Sequence, residues 1–191
     1  MQPGALEGLR VLDLGRVLSA PFCAAMLGDM GADVIKLEQP VKGDDSRGFM
    51  PRKDDVSTYF INFNRSKRGI TLDLKKGKDV FLELVKHVDV VIENYRPGVM
   101  KKLGLDYEEL KKVNPGLIYA AISGFGQTGP YASRAGYDTM AQAMSGIMSI
   151  TGFPGSEPTR CGASVADIMG GLQAVIGILA ALRYRDKTGE G

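Results

Sequence analysis

The first 40 residues alternate strand and helix, and that alternation restricts the fold more than any other feature of the chain. Leu9-Arg10-Val11-Leu12-Asp13-Leu14 reads as a short strand that stops at Gly15. Ser19-Ala20-Pro21 follows as an N-cap with proline in the first turn. Phe22 to Met30 reads as a helix closed by Gly31, and Ala32 to Leu37 as a second strand. Such a βαβ unit makes parallel strands joined by a right-handed crossover.

The pattern continues downstream. Gln39 to Asn64 is polar and mixed, with Pro40, Gly43, Gly48 and Pro51, and reads as a long loop with short elements. Gly69 to Leu74 is a strand. Lys75 to Val88 is an amphipathic helix with Val80, Leu84 and Val88 on one stripe and Phe81 and Val85 beside it. Asp89 to Glu93 and Leu117 to Ser123 are further strands. Val99 to Leu103 and Tyr107 to Val113 are short helices, the second begun at Asp106 and ended before Pro115. Thr139 to Ile150 and Val165 to Arg185 read as helices, and Asp186 to Gly191 as a turn. The fold class expected is α/β, an open, mostly parallel Rossmann-like sheet with flanking helices. A stop at a turn after a long apolar helix reads as a fragment.

Composition narrows the chemistry. The 191 residues carry 24 Lys+Arg against 22 Asp+Glu, a formal charge of +2, and 44% are hydrophobic. This is ordinary for a globular chain and unlike a dedicated nucleic-acid binder, which shows a clustered basic excess. The one histidine, His87, and the two cysteines, Cys23 and Cys161, form no CxxC or HxxxH pair, so no metal site is expected. Two isolated cysteines point to reduced thiols and a cytoplasmic protein. The start of the chain shows no targeting segment. The most apolar stretch, Ile168 to Leu182, holds Gln173 and three glycines and is shorter than the roughly 20 residues a bilayer requires. It reads as a buried helix, not a membrane span.

Gly124-Phe125-Gly126-Gln127-Thr128-Gly129 fits GxGxxG after a strand. A dinucleotide site also needs a helix opening there, so that its amides face the pyrophosphate. Pro130 follows at once, and a glycine-rich turn in a substrate loop is the better reading. No GxxxxGK[ST] occurs, which excludes P-loop chemistry. Cations recur at loop positions: Arg65, Lys67, Arg68, Lys75, Arg96, Lys101, Lys102 and Arg134. Lys75 and Arg96 fall at carboxyl ends of strands, where ligands of open α/β sheets bind. The set reads as solvated surface charge or as a seat for a small polyanion. Asp167, with Gly170 and Gly171 one turn on, also has two readings. It is a first-turn acid stabilising its helix, or a carboxylate kept ionised by the helix terminus and available as a nucleophile, with the glycines admitting a large ligand. Met140, Met144, Met148 and Met169 read as core or as an adaptable wall of a ligand pocket.

Taken in order, several segments resemble the family III CoA-transferases, the CaiB/BaiF and formyl-CoA transferase group. They are Leu9 to Leu14 with Ala24 to Glu38, Asn64 to Lys75, Val91-Ile92-Glu93-Asn94-Tyr95-Arg96-Pro97-Gly98, Ser123 to Gly126, and Gly136-Tyr137-Asp138. The resemblance covers essentially all of residues 1–191, read as an N-terminal CoA-binding α/β domain cut before a small second domain. It implies a CoA-transferase that moves CoA from an acyl-CoA to a free carboxylic acid. Coenzyme A and acyl-CoA enter as substrates, with no tightly bound cofactor. Asp167 matches the family's catalytic aspartate, which passes through a mixed anhydride and an enzyme-CoA thioester.

The resemblance also implies CoA-contacting positions. Leu18 and Ser19 match the loop after the first strand, Leu72 and Lys75 the second signature, and Asn94, Tyr95 and Lys102 the third region. Gln39 stands where the family often has Arg. Tyr137 matches a residue beside the thioester. Arg96 joins this set on charge and position alone. A racemase of the same superfamily places His where Tyr137 stands, which favours the transferase. The α-methylacyl-CoA racemase and a non-catalytic CoA- or nucleotide-binding module are the alternative functions. The resemblance further implies a glycine-rich loop over the aspartate, supplied after Gly191, and an interlocked homodimer, with no nucleic-acid or membrane partner. The acceptor acid is not legible.

Overall fold

A computed structural model describes residues 3–191. The elements in chain order begin with β1 (Arg10–Asp13), α1 (Ser19–Asp29) and β2 (Asp33–Glu38). A 3₁₀ turn (Asp45–Gly48), a small hairpin of β3 (Arg52–Lys53) and β4 (Val56–Ser57), and α2 (Thr58–Asn64) follow. Next come β5 (Arg68–Thr71), α3 (Lys78–Val85), β6 (Val90–Glu93), α4 (Val99–Leu103), α5 (Tyr107–Val113) and β7 (Ile118–Ala121). The chain then forms α6 (Asp138–Met144), a 3₁₀ turn (Ile147–Ile150) and α7 (Val165–Thr188).

Five strands make one parallel sheet in the order β5-β2-β1-β6-β7. The chain builds outward from β1 through β2 to β5, then returns to the other side of β1 with β6 and β7. The order therefore reverses between β1 and β6, and in such sheets the crevice at that switch point receives ligands.

Period-2 alternation feeds two cores. Val11, Val34, Val90 and Ile92 face α1 and α7, packing with Cys23, Ala24, Leu27, Val175 and Ile178. Leu12, Leu37 and Val91 face the other way, onto Phe81, Val85, Met100 and Leu110. Both sheet faces are thus covered by helices, as parallel sheets require.

Several elements differ from expectation. Phe81 and Val85 of α3 and Val88 just after it are buried and Leu84 packs against them, as the stripe expected, but Val80 is 55% exposed and lies outside it. Helix α3 is also shorter, because a turn closes first through Gly77 N–H to the Asp73 carbonyl. Thr58–Asn64 is one of the short elements of the long polar stretch, a helix capped by the Ser57 hydroxyl accepting from Phe60 N–H. The expected helix from Thr139 to Ile150 ends at Met144, and Gly146, at φ 81°, separates it from the 3₁₀ turn. At 24 residues, α7 is longer than expected and absorbs half of the terminal turn. It is long and apolar enough to cross a membrane by length and composition. Where a buried helix was expected, one face is covered, through Gly171, Val175 and Ile178, and Ile176 is 60% exposed.

Candidate functional site

The crevice at the switch point is bounded by the loops after β1 and β6. Asn94 ties them together: its carbonyl oxygen accepts from Arg16 N–H at 2.8 Å, and its amide donates to the Arg16 carbonyl at 2.8 Å and the Ser19 hydroxyl at 3.2 Å. The expected N-cap role of Ser19 is therefore not used; Ser19 is the first residue of α1 and is held by Asn94 instead. Val17 sits at φ 66°, a strained conformation for a β-branched residue, with its N–H on Asp44 at 3.1 Å.

Beneath this loop lies a buried charge network. Lys67 Nζ meets Asp13 Oδ2 at 2.8 Å, and Lys36 Nζ meets Asp44 at 2.9 Å and the Gly15 carbonyl at 2.8 Å. Glu38 accepts Asp44 N–H and a two-pronged contact from Arg47. Burial pushes the Glu38 and Asp44 carboxyls up, but Arg47 and Lys36 with local hydrogen bonds outweigh it, and both end below the ordinary range. The network fixes the loop from several sides at the carboxyl ends of β1 and β2.

The far wall comes from β7 and α7. A Cβ on either Gly124 or Gly136 would stand 2.3 Å from the other's Cα, so two glycines let these backbones cross. The crossing delivers Tyr137 and Asp138 to the sheet end. Gly124 thus serves chain crossing, and no nucleotide-type helix opens after Gly129. Asp138 Oδ1 accepts Ala166 N–H at 2.8 Å, and Asp138 Oδ2 accepts from Gln142 at 2.7 Å. Gln142 in turn accepts Cys161 N–H at 2.8 Å. Asp167 follows in the first turn of α7. Burial first, then the negative charge of Asp138, push its carboxyl above the ordinary carboxylate value. The helix start alone therefore does not set its acidity; burial and Asp138 act against it.

These parts enclose a cleft of about 1140 Å³. All eleven candidate residues border it: Leu18, Ser19, Gln39, Leu72, Lys75, Asn94, Tyr95, Arg96, Lys102, Tyr137 and Asp167. Leu18 and Ser19 are buried, while Lys75, Arg96, Lys102 and Gln39 reach solvent and Tyr137 is 72% exposed. Burial pushes the Tyr95 phenol up to about 12. Arg16 and Arg134 add two more cations to the lining. A cleft with scattered cations at one side and a half-buried carboxylate at the other can hold an extended polyanion and present a carbonyl to Asp167.

Other expectations fall elsewhere. Arg65 pairs with Asp29, Arg68 with Asp33 at 2.6 Å, and Lys67 is sealed in the charge network. Lys101 borders a separate cavity of about 650 Å³. Gly171 admits no ligand: a Cβ there would stand 2.7 Å from the Ser19 carbonyl, so the glycine serves the α1–α7 approach. Met140, Met144 and Met169 are about half exposed, and the four methionines are neither core nor cleft lining. His87 is exposed beside Glu83. Cys23, pushed up to about 12 by burial, and Cys161 are free thiols.

Two residues escaped the sequence reading. Asp138 has no role in the sequence pattern read above, although an acid in the first turn of a helix with Gln four residues on is a signal for a local pair. Tyr59 lies on α2. Burial raises its phenol to about 12, and Asp167 is the strongest charge acting on it.

The model of CoA-transferase family III matches residues 6–191. The chain is 52% identical to acetyl-CoA:oxalate CoA-transferase of Acetobacter aceti, covering 98% of this chain and 49% of that protein. It is 49% identical to succinate–glutarate CoA-transferase of Agrobacterium fabrum, covering 97% and 49%. Among solved structures, a CaiB/BaiF family protein from Brucella suis superposes with TM-score 0.94 at 49% identity, over 100% of this chain and 52% of that one. The chain spans about half the length of the curated relatives it matches. On a family model spanning nearly every residue and a parallel sheet shared with solved members, the chain belongs to CoA-transferase family III.

Proposed function

We propose that this chain is the CoA-binding part of an enzyme that moves CoA from an acyl-CoA to a free carboxylic acid, with Asp167 as the nucleophile. The observation that carries the reading is the gathering of all eleven candidate residues around one cleft with Asp167 at its wall. The cations of the cleft seat the phosphates of CoA, and the pantetheine arm runs over Leu18 and Leu72 toward α7.

The steps balance without cofactor or ATP. An Asp167 carboxylate oxygen attacks the thioester carbonyl; the C–S bond breaks and CoA leaves as thiolate. The product is an aspartyl mixed anhydride. The thiolate attacks the Asp167 carbonyl, the donor acid departs, and CoA remains as an enzyme thioester. The acceptor carboxylate then attacks that thioester and the same steps run backward. A raised Asp167 pKa suits this role, since a more basic carboxylate is a better nucleophile.

Relatives that act on oxalate, succinate and glutarate support dicarboxylic acids as the exchange partners. The same relatives support transfer over racemisation, as does Tyr137 in place of a histidine. The resemblance alone supports an interlocked homodimer in the cytoplasm. In the full-length protein, Asp167→Ala should abolish CoA transfer while CoA still binds by calorimetry. Unchanged turnover in that variant removes the proposed mechanism.

A further inference from the structure

We propose that Asp138 is a positioning residue for Asp167: it fixes the first turn of α7 from another helix and sets a second negative charge beside the reacting carboxylate. The inference deepens the CoA-transfer reading and rests on it.

The first turn of a helix leaves amides without intrahelical partners, usually taken by the N-cap side chain. In α7 the residue at that position is Ser164, yet the Ala166 amide is held by Asp138 Oδ1, 28 residues earlier in the chain. Asp138 is itself held. Its Oδ2 accepts from Gln142, a side chain only 1% exposed, whose other amide atom accepts Cys161 N–H. Gln142 also reaches the Ala163 carbonyl at 3.3 Å. One turn of α6 thus grips the backbone at residues 161, 163 and 166, and Asp167 is the next residue. The grip settles where the Asp167 side chain leaves the helix.

The charges around Asp167 are few. Among the described residues, Asp138 from α6 and the Tyr59 phenol from α2 are the ionisable groups whose charge acts with that of Asp167. Packed against the start of α7, α1 presents Ser19 and β7 leads into Ile122, both uncharged. Arg134, in the loop before α6, lies over the Tyr131 ring at 4.2 Å. Asp138 is the one carboxylate among these, so its charge raises the proton affinity of Asp167 and hence its strength as a nucleophile.

The test uses the full-length protein with Asp138→Asn and Asp138→Ala. Asn keeps an oxygen for Ala166 N–H but lacks the charge; Ala lacks both. Two readouts separate the inference from the reading beneath it. The first is the pH profile of label exchange between succinyl-CoA and labelled succinate. Asp138→Asn should lose about tenfold at the optimum and move the acid limb to lower pH, with KM little changed; Asp138→Ala should lose about 100-fold. The second is the titration of the Asp167 carboxyl by carbon NMR, which needs no turnover. Its midpoint should fall in Asp138→Asn. A wild-type protein that exchanges no label overturns the transfer reading and leaves the NMR result to judge Asp138. An Asp167 midpoint unmoved in Asp138→Asn, or an acid limb that stays in place in an active enzyme, overturns the inference.

Discussion

Asp13 and Lys67 meet at 2.8 Å with both side chains withdrawn from water, 0% and 2% exposed. Lys67 Nζ also donates to the Pro21 carbonyl at 2.8 Å, so one ammonium joins the end of β1, the start of α1 and the entry to β5. Removing one partner of a buried pair leaves an uncompensated charge, at about 3 kcal/mol or more. Lys67→Met should therefore lower unfolding stability by about 3 kcal/mol in urea titration, and Asp13→Asn/Lys67→Met should recover part of the loss. A single variant as stable as wild type would show that the pair does not brace the loop.

Glu93, at the end of β6, is pushed up to about 7 by burial, although Tyr95 N–H and the Tyr119 hydroxyl pull it down. The folded state therefore holds this proton more tightly than the unfolded chain, whose value is near 4.5. The stability it contributes is complete below pH 4.5 and is lost as pH rises to about 7. Glu93→Gln, which mimics the protonated form, should gain on wild type across that window by up to about 3 kcal/mol. Parallel stability curves for the two proteins would refute this.

Adjacent glycines of α7 should respond oppositely to alanine. A Cβ at Gly171 meets the Ser19 carbonyl at 2.7 Å, and backbone cannot step aside. Gly171→Ala should cost about 1–3 kcal/mol by forcing α1 and α7 apart. At Gly170 the new Cβ meets Ile122 at an ordinary 3.7 Å. Gly170→Ala should be neutral or stabilise by up to about 1 kcal/mol through helix propensity. Thermal denaturation of the two variants side by side decides it.

Lys75 and Lys102 stand exposed at the rim of the cleft, at the carboxyl ends of β5 and of α4. If they seat CoA phosphates, Lys102→Glu and Lys75→Glu should each weaken CoA binding by about tenfold, and more so at low salt, where exposed charges are least screened. Calorimetry at two ionic strengths reads both effects. Affinity unaffected by either reversal would move the phosphates elsewhere.

What the sequence carried was the periodic part of the structure. Alternating strands such as Val11/Leu12 and Val90/Val91 announce their two faces directly, and the loops after them necessarily meet at one edge of a parallel sheet. That is why Lys75 and Arg96 could be placed at one sheet edge in advance, whereas Asn94 and the catalytic role of Asp167 rested on the family resemblance. Pattern was silent where tertiary contact decides. The exposure of Val80 on α3 depends on which side the sheet lies. The start of α2 depends on a single serine cap within a polar stretch. Gly171 resembles a ligand-facing glycine until α1 is seen against it, and the role of Asp138 needs an amide 28 residues away. The influences on Asp167 were hidden for the same reason: helix position is local, whereas burial and the Asp138 charge are not.

Capture of the acyl-enzyme tests the central claim most directly. The full-length protein would be incubated with succinyl-CoA, quenched with hydroxylamine and mapped by peptide mass spectrometry. The account predicts a hydroxamate on Asp167, formed only when the thioester is present and missing in Asp167→Ala. Active enzyme with Asp167 unmodified, or with the label on a different residue, would contradict it.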